Sequence, residues 1–273
     1  MKGEVKMLLK RWILFSIIGL SSVVVRAQTL VVVDIDDTLK VAHVLNAADS
    51  IANSGKIKNQ FLGMAKLLRM FKEDNSEMAI AYVSNAPESL MHNSHRRFIE
   101  INGFPDDGFL LLRENVFDGS FKVRVIRQLV NEIMPAKVIL IGDNAEKDTL
   151  IYEQIQKDFP QIPILTLIHR VYSVKNKKDT GKPLQKDQMG YVTSVDLAVI
   201  FSRLNMISRD HFQQFLNEEI PRIVAEPDHL EEGEIAFPKW MDCRDQMVRR
   251  FKMPGQKDLF AQYQSRLKKR CTR

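Results

Sequence analysis

A short apolar segment that runs straight into acidic residues is the feature that most constrains this fold. Leu30-Val31-Val32-Val33 is followed by the run Asp34-Ile35-Asp36-Asp37-Thr38. An unbroken series of mostly β-branched residues is typical of a parallel strand, because such a strand is covered on both faces. The sequence therefore predicts a buried strand at residues 29–34, with carboxylates at its carboxyl end.

Further apolar segments alternate with helical patterns along the chain. They predict strands at residues 79–83, 109–112, 138–141 and 164–168. Apolar residues at helical spacing predict helices at 57–74, after Pro87, after Ser120 as N-cap, around 150–155 and at 194–217. This order predicts an α/β protein with a three-layer α/β/α Rossmann-like parallel sheet. In sheets of this kind, ligands bind outside the carboxyl ends of the strands.

The acidic run after the first strand is suited to nucleophilic and acid–base chemistry. Asp34 and Asp36 are two positions apart, so they face the same way in an extended segment. One carboxylate can attack phosphorus while the other, protonated, gives its proton to the leaving oxygen. Asp37 points the other way and is expected to cap the following turn. Thr38 is expected to support that turn and to lie within reach of the phosphate.

Polar residues elsewhere complete a predicted phosphate site. Ser84 and Asn85 end the second strand, where a hydroxyl, an amide and backbone N–H groups could hold phosphate oxygens, although Ser-Asn is also a common turn. Lys122 lies near a predicted helix start, where the helix dipole disfavours a cation, so pairing with an anion and a solvated surface position are both open. Arg170 ends the fifth strand, where it could contact an anionic substrate or form a buried ion pair.

A second group of acids follows the fourth predicted strand. Asp143 ends that strand, and Glu146 and Asp148 lie close behind it. Hard oxygen ligands at such an edge suit Mg²⁺. The alternative is that these acids only stabilise the start of the next helix. The six histidines form no spaced ligand set, and His169 is expected to be a structural neighbour of the site.

The first 27 residues have the pattern of a secretory signal peptide. Lys2, Lys6, Lys10 and Arg11 precede an apolar stretch from residue 12 to 25, and Val25-Arg26-Ala27 offers a cleavage site. An exported protein, periplasmic or secreted, is therefore expected, with an uncleaved membrane anchor or a buried first strand as alternatives. Removing this segment leaves 35 basic and 33 acidic residues, a formal charge of +2. We therefore expect no nucleic-acid partner.

The remainder of the chain divides into two predicted parts. Residues 28–172 would form the catalytic domain, and residues 173–273 a Lys-rich surface loop or lid followed by a mostly helical extension. In an exported protein, Cys243 and Cys271 can form a disulfide that closes the tail, although two free thiols are also open.

Taken in order, these residues resemble the motifs of the haloacid dehalogenase superfamily of phosphatases. Asp34-x-Asp36-x-Thr38 resembles its first motif, Ser84 its second, Lys122 its third, and Gly142-Asp143-x4-Asp148 its fourth. The resemblance implies that Asp34 is the nucleophile and Asp36 the acid/base, and that Ser84 and Lys122 bind the phosphoryl group. It also implies that Asp34, the backbone carbonyl of Asp36, and Asp143 hold Mg²⁺, with Asp148 supporting the site.

A closer resemblance covers roughly residues 29–172. The runs 59–65, 82–87 and 139–148 are similar to the catalytic domain of the actin-patch type of phosphatidate phosphatases. This similarity implies phosphatidate or a related lipid phosphate as substrate, and with it a peripheral contact with a membrane surface. Ala86 and Asn144-Ala145 depart from the Ser and Ser-Gly usual in that family, and leave the exact substrate open.

Three functions therefore remain in competition. The first is an Mg²⁺-dependent lipid-phosphate phosphatase that works through an aspartyl-phosphate, and the second an exported phosphatase of small soluble phosphomonoesters. The third is an inactive phosphate-binding module, although no position of the four motifs is replaced. Only about 46 residues separate Thr38 from Ser84, so a small or absent cap is expected, which suits a bulky substrate.

Overall fold

The computed structural model describes residues 29–228, 230–245 and 257–272, so the predicted signal segment lies outside the described residues. The strands are β1 (Thr29–Val33), β2 (Gln60–Phe61), β3 (Met78–Pro87), β4 (Phe109–Arg113), β5 (Lys137–Asp143), β6 (Ile164–His169), β7 (Met189–Tyr191) and β8 (Glu234–Ile235). The helices are α1 (Ala47–Ser54), α2 (Met64–Asp74), α3 (Glu88–Ile101), α4 (Phe121–Ile133), α5 (Asp148–Asp158), α6 (Ser194–Arg203), α7 (Arg209–Ala225) and α8 (Lys257–Cys271).

Six of these strands form one parallel sheet in the order β4-β3-β1-β5-β6-β7. The first strand lies at the centre, with Val33 beside Tyr82 of β3 and Ile141 of β5. The carboxyl ends of these three strands therefore meet at one edge. The strand order reverses on either side of β1, which is the kind of position where open α/β sheets bind ligands.

The sheet is buried on both faces, as the unbroken apolar pattern of β1 predicts. Val31 and Val33 pack into one core cluster, whereas Leu30 and Val32 pack into a second cluster on the opposite face. The first cluster draws its helical residues from α2, α3, α6, α7 and α8, and the second from α4 and α5. The predicted three-layer α/β/α fold with a helical C-terminal part is confirmed.

Two predicted helices have different bounds in the structure. The helix expected at 57–74 begins only at Met64, because Gly63 adopts a left-handed φ of 79° and the two residues of β2 precede it. A Cβ at Gly63 would lie 2.6 Å from the Ser194 hydroxyl oxygen. The helix expected at 194–217 is two helices, because the chain turns at Asn205, with φ 52°, and α7 restarts under the Ser208 N-cap.

The C-terminal part is joined to the catalytic sheet. Strand β7 extends that sheet next to β6, and β8 pairs with β2. Trp240 stacks on His43 with ring centroids 4.5 Å apart, and Cys243 forms a disulfide with Cys271. The domain boundary expected at residue 172 stays a prediction. Within the described part of the chain, no helix has the length and apolarity needed to cross a membrane.

Candidate active site

The strand ends surround one cavity of about 870 Å³. Its lining includes seven of the predicted site residues: Asp34, Asp36, Ser84, Asn85, Lys122, Asp143 and Asp148. They come from the carboxyl ends of β1, β3 and β5 and from the starts of α4 and α5. The sheet thus brings together residues that are more than a hundred positions apart. Thr38 and Arg170, which were also predicted at the site, are not among the residues that line this cavity.

Asp34 is held in place from two sides. Its backbone N–H donates to the carbonyl of Ile141 at 2.8 Å, and the Lys122 ammonium donates to its carboxylate at 2.7 Å. Lys122 is 2% exposed and also donates to Asp148 at 2.6 Å. The alternative of a solvated surface lysine is therefore wrong. Burial raises the pKa of Asp34 to about 8, although Lys122 opposes the increase.

Asp34, Asp143 and Asp148 form a buried acidic triad. Each offers a carboxylate oxygen, and these oxygens all lie within 4.8 Å of one another. Burial raises the pKa of Asp143 well above its usual value, and the charges of Asp148 and Asp34 raise it further. Lys122 contacts two of these three carboxylates, those of Asp34 and Asp148. This donor set fits a hard divalent cation such as Mg²⁺, which would stabilise the ionised form of all three.

A glycine makes the triad sterically possible. A Cβ at Gly142 would collide with the Asp148 carboxylate and with the Tyr152 hydroxyl. That hydroxyl donates to the Ile141 carbonyl at 3.1 Å and to Asp148 at 3.2 Å. The absence of a side chain at Gly142 therefore allows helix α5 to bring Asp148 close against the end of β5.

Asp36 has a different environment from Asp34. Its side chain is 18% exposed, and Nε2 of the fully buried His95 lies 3.2 Å from its Oδ2. The Ser84 hydroxyl lies 3.4 Å from the same oxygen. Burial alone would raise the pKa of Asp36, but His95, with Lys40 and Ser84, lowers it overall. The pKa of Asp34 is thus raised and that of Asp36 lowered. A cation in the triad would oppose this order by lowering the pKa of Asp34.

Asp37 organises the loop that follows β1. It has a left-handed φ of 59°, and its carboxylate accepts hydrogen bonds from the backbone N–H groups of Ala42, His43 and Val44. The Tyr172 hydroxyl donates to it as well, at 2.5 Å. The expected turn-capping role agrees with this geometry. Thr38 is fully buried in the same loop, and its hydroxyl has no hydrogen-bond partner in the described part of the chain.

Two further predicted residues differ in their relation to the cavity. The Ser84 hydroxyl accepts from the backbone N–H of Ala86 at 3.0 Å, at the cavity wall where the pairing of β3 with β4 shifts register between Ser84 and Pro87. Arg170 lies against Gly190, and burial lowers its pKa while Asp245 opposes that change. This location agrees better with the ion-pair alternative than with contact to a substrate in the cavity.

His169 is a structural neighbour of the site, as expected. Its ring nitrogens lie 2.9 Å from the carbonyl oxygens of Asp37 and Val192. It stacks on Tyr191 with ring centroids 4.8 Å apart. Burial lowers the pKa of His169 to about 4, so the ring is neutral at ordinary pH.

Sequence reasoning missed several residues of the site. His95 was set aside with the other histidines, although it shares a buried face of α3 with Phe98 and Ile99, at spacings of three and four. Arg113 lines the cavity and ends β4, so the strand-end argument applied to the other strands would have found it. Lys147 and Lys182 also line the cavity, and no local pattern marks them.

A parallel sheet with an aspartate pair after its central strand, beside a lysine from α4 and an acidic triad, has the arrangement of a phosphatase of the haloacid dehalogenase type. The chain belongs to a family within that class, since a family model described as "Phosphatidate phosphatase APP1, catalytic domain" matches residues 29–170, more than half of its length. It is thus a member of a phosphatase family. Comparisons with curated proteins and with solved structures each gave no significant match.

Proposed function

We propose that this chain is an Mg²⁺-dependent phosphatase of phosphatidate or a related lipid phosphate, and that it works through an aspartyl-phosphate on Asp34. The observation that carries the proposal is the position of Asp34, fixed by Lys122 beside an acidic triad at the wall of a cavity. The family match supports the lipid phosphate as the substrate class. The cavity is open enough for a head group whose acyl chains remain outside it.

The reaction follows from the roles of the two aspartates. A carboxylate oxygen of Asp34 attacks phosphorus, and the bond from phosphorus to the leaving oxygen breaks as Asp36 gives that oxygen a proton. The ionised Asp36 then takes a proton from a water molecule that attacks the phosphorus of the aspartyl-phosphate. Inorganic phosphate leaves, Asp34 is free again, and Asp36 has regained its proton.

The remaining residues position and neutralise the phosphoryl group. The Lys122 ammonium offsets negative charge on the phosphoryl oxygens, and the Ser84 hydroxyl with the Asn85 amide can donate to them. When bound by the Asp34, Asp143 and Asp148 carboxylates, Mg²⁺ supplies further positive charge against these oxygens. The predicted participation of the Asp36 backbone carbonyl in this site remains part of the proposal. His95 keeps Asp36 near Ser84.

The nucleophile assignment is tested with Asp34→Asn. We expect phosphate release from phosphatidate to fall by about a thousandfold or more, because the amide cannot attack phosphorus. Asp187→Asn, at an exposed position, is the matched control and should retain full activity. Chelation of divalent cations should abolish wild-type activity, and added Mg²⁺ should restore it. Retained activity in Asp34→Asn, with an intact fold by circular dichroism, would exclude this mechanism.

The substrate class is tested by comparing phosphatidate in vesicles with a panel of soluble phosphomonoesters. A higher kcat/KM on phosphatidate would support the lipid assignment. Equal or faster turnover of the soluble panel would favour the second hypothesis. Phosphate binding without turnover of any ester would favour the inactive binding module.

We further propose that the protein acts after export, with residues 1–27 removed as a signal peptide. The basic, apolar and small-residue regions of this segment support the proposal. A disulfide between Cys243 and Cys271 is in keeping with an oxidising compartment. Amino-terminal sequencing of the protein produced by its native cells should begin at Gln28, whereas an intact first segment would mean an anchor.

A further inference from the structure

The mouth of the active-site cavity carries large apolar side chains that are exposed to solvent. Ile51 of α1 and Leu90 of α3 both line the cavity, yet they are 75% and 76% exposed. Burying such side chains in a less polar medium is favourable, and exposed apolar patches beside a binding site usually mark an interaction surface.

Helix α1 is attached to the cavity by its end and buries none of its residues. The buried Lys40 ammonium and the Ser94 hydroxyl both donate to the carbonyl of Ser54, each at 2.8 Å. These bonds fix the helix at the mouth while Ile51 remains in solvent. The helix therefore presents an apolar residue that the fold itself does not use.

An exposed aromatic residue lies in a third segment, between two residues that line the cavity. Phe117 is 92% exposed and belongs to the connection between β4 and α4. Arg113 and Gly119, on either side of it in sequence, both line the cavity. Ile51, Leu90 and Phe117 therefore come from three separate elements that meet at one opening, and we call them the apolar rim.

Positive charge accompanies the apolar rim. Lys147 and Lys182 line the cavity and are exposed, and Glu146 is the one acid among the described lining residues that is exposed as well. Lys182 belongs to a segment that is tied to the end of β5, because its backbone N–H donates to the Asn144 carbonyl at 2.6 Å. The same segment carries four more exposed lysines: Lys175, Lys177, Lys178 and Lys186.

We propose that the cavity mouth docks on an anionic lipid surface. The apolar rim enters the interface between head groups and acyl chains, while the lysines contact lipid phosphates. Apolar side chains flanked by cations are complementary to such a surface, and the fold places them around the opening through which a lipid phosphate would reach Asp34. This inference rests on the proposed function, because it assigns the surface from which the substrate is taken.

The test removes the apolar rim without touching the catalytic residues. The variant Ile51→Ser/Leu90→Ser/Phe117→Ser is compared with Ile101→Ser/Leu204→Ser/Phe109→Ser, which loses the same three residue types. The control residues are about half exposed and lie at the ends of α3 and α6 and at the start of β4. In a parallel sheet these positions are at the edge opposite the cavity, so both triple variants should fold.

Vesicle co-flotation measures docking independently of turnover. Phosphatidylcholine vesicles containing phosphatidylserine, which is not a phosphomonoester, are used with the full-length mature chain. We expect the rim variant to bind about tenfold more weakly than wild type, and the control variant to bind as wild type does. Binding should also weaken with added salt, because lysines contribute to it. Equal binding by the rim variant, or equal loss in the control, would overturn the proposal.

Activity measurements separate docking from catalysis. On phosphatidate vesicles the rim variant should lose about tenfold in kcat/KM, whereas on a water-soluble short-chain phosphatidate it should stay within about twofold of wild type. A parallel loss on both substrates would overturn docking as the role of the rim. If the wild type hydrolyses neither substrate but binds vesicles through the rim, the docking proposal stands and the proposed function fails.

Discussion

The two aspartates of the first motif show how much local environment decides the role of a residue. Burial raises the pKa of Asp34 more than Lys122 lowers it, and the charges of Asp148 and Asp36 add to the increase. Asp36, two residues later, faces His95 and Ser84 instead, and its pKa is lowered. The same carboxyl group thus has a raised pKa at one position and a lowered pKa two residues later. The proposed mechanism needs the opposite order, with Asp34 ionised and Asp36 protonated, and a cation held by the acidic triad would favour it by lowering the pKa of Asp34.

His95 is expected to act as a positioning residue for Asp36. In His95→Gln, Asp36 loses the partner that lies 3.2 Å from its carboxylate, so it would adopt several orientations. We expect kcat to fall by about tenfold to a hundredfold with little change in KM, because the proton transfer depends on that orientation. The alkaline limb of the kcat/KM profile should also move to higher pH, because Asp36 must be protonated in the free enzyme to act as the acid and its pKa would rise. Steady-state kinetics across pH measure both effects.

His92→Gln is the matched control for this experiment. His92 lies on the same helix, one turn earlier, and is partly exposed. Its substitution should leave kcat and the pH profile unchanged. A His95→Gln enzyme with wild-type kcat and an unshifted profile would mean that this histidine serves packing alone.

At the level of elements, the parallel sheet and most strand positions could be predicted from the sequence. Apolar continuity marks buried parallel strands, and β1, β3, β4, β5 and β6 all coincide with predicted strands within a few residues. Helix α1, strand β2 and strands β7 and β8 were not anticipated. The three strands have two or three residues each and depend on partners distant in sequence.

The residues of the site at strand ends could also be predicted from the sequence, whereas those on a helix face or a long loop could not. Residues at strand ends could be placed together, because parallel strands share an edge. His95 and Lys182 reach the site through a helix face and a long loop, whose orientation depends on tertiary packing. Gly63 illustrates the limit for helices, since the approach of Ser194, from a segment 131 positions away in sequence, leaves no room for a side chain at the start of α2.

One prediction at the level of elements concerns how His169, the last residue of β6, makes the stability of the fold depend on pH. His169 joins the loop after β1 to the residue after β7, and its pKa is about 4 in the folded chain against 6.5 for an unperturbed histidine. Between these values the unfolded chain binds more protons than the folded one. The free energy of unfolding should therefore fall as pH decreases from about 6.5 to about 4, by up to roughly 3 kcal/mol from this residue.

The contribution is isolated with His169→Gln. Urea unfolding of both proteins at several pH values gives the stability difference between them. We expect the advantage of the wild type to shrink as pH falls through this interval, because the variant has no imidazole to protonate. Parallel stability curves for the two proteins would contradict the low pKa of His169. Carboxylic acids with a raised pKa, such as Asp196, contribute equally to both stability curves.

At the scale of the whole molecule, the C-terminal part and the catalytic sheet share one core. Residues of α6, α7 and α8 occupy the same apolar cluster as Val31 and Val33 of β1. The Tyr263 hydroxyl donates to Asp196 at 2.7 Å, and Trp240 stacks against His43 and Tyr172 beside the catalytic loop. Loss of the last helix should therefore weaken packing behind the site as well as at the terminus.

The disulfide is the covalent part of this attachment. Cys243 and Cys271 are 28 positions apart, and closing a loop of that length restricts the unfolded chain by about 3 kcal/mol. We expect Cys243→Ala/Cys271→Ala to lower the free energy of unfolding by about that amount, while kcat at low temperature remains near wild type because neither cysteine lines the cavity. Urea unfolding with and without a thiol reductant measures the effect.

The reductant should bring the wild type close to the double variant and leave the variant unchanged, since only the wild type has a bond to lose. Equal stability of wild type and variant under oxidising conditions would mean that the apolar contacts of α8 already fix the extension without the covalent bond.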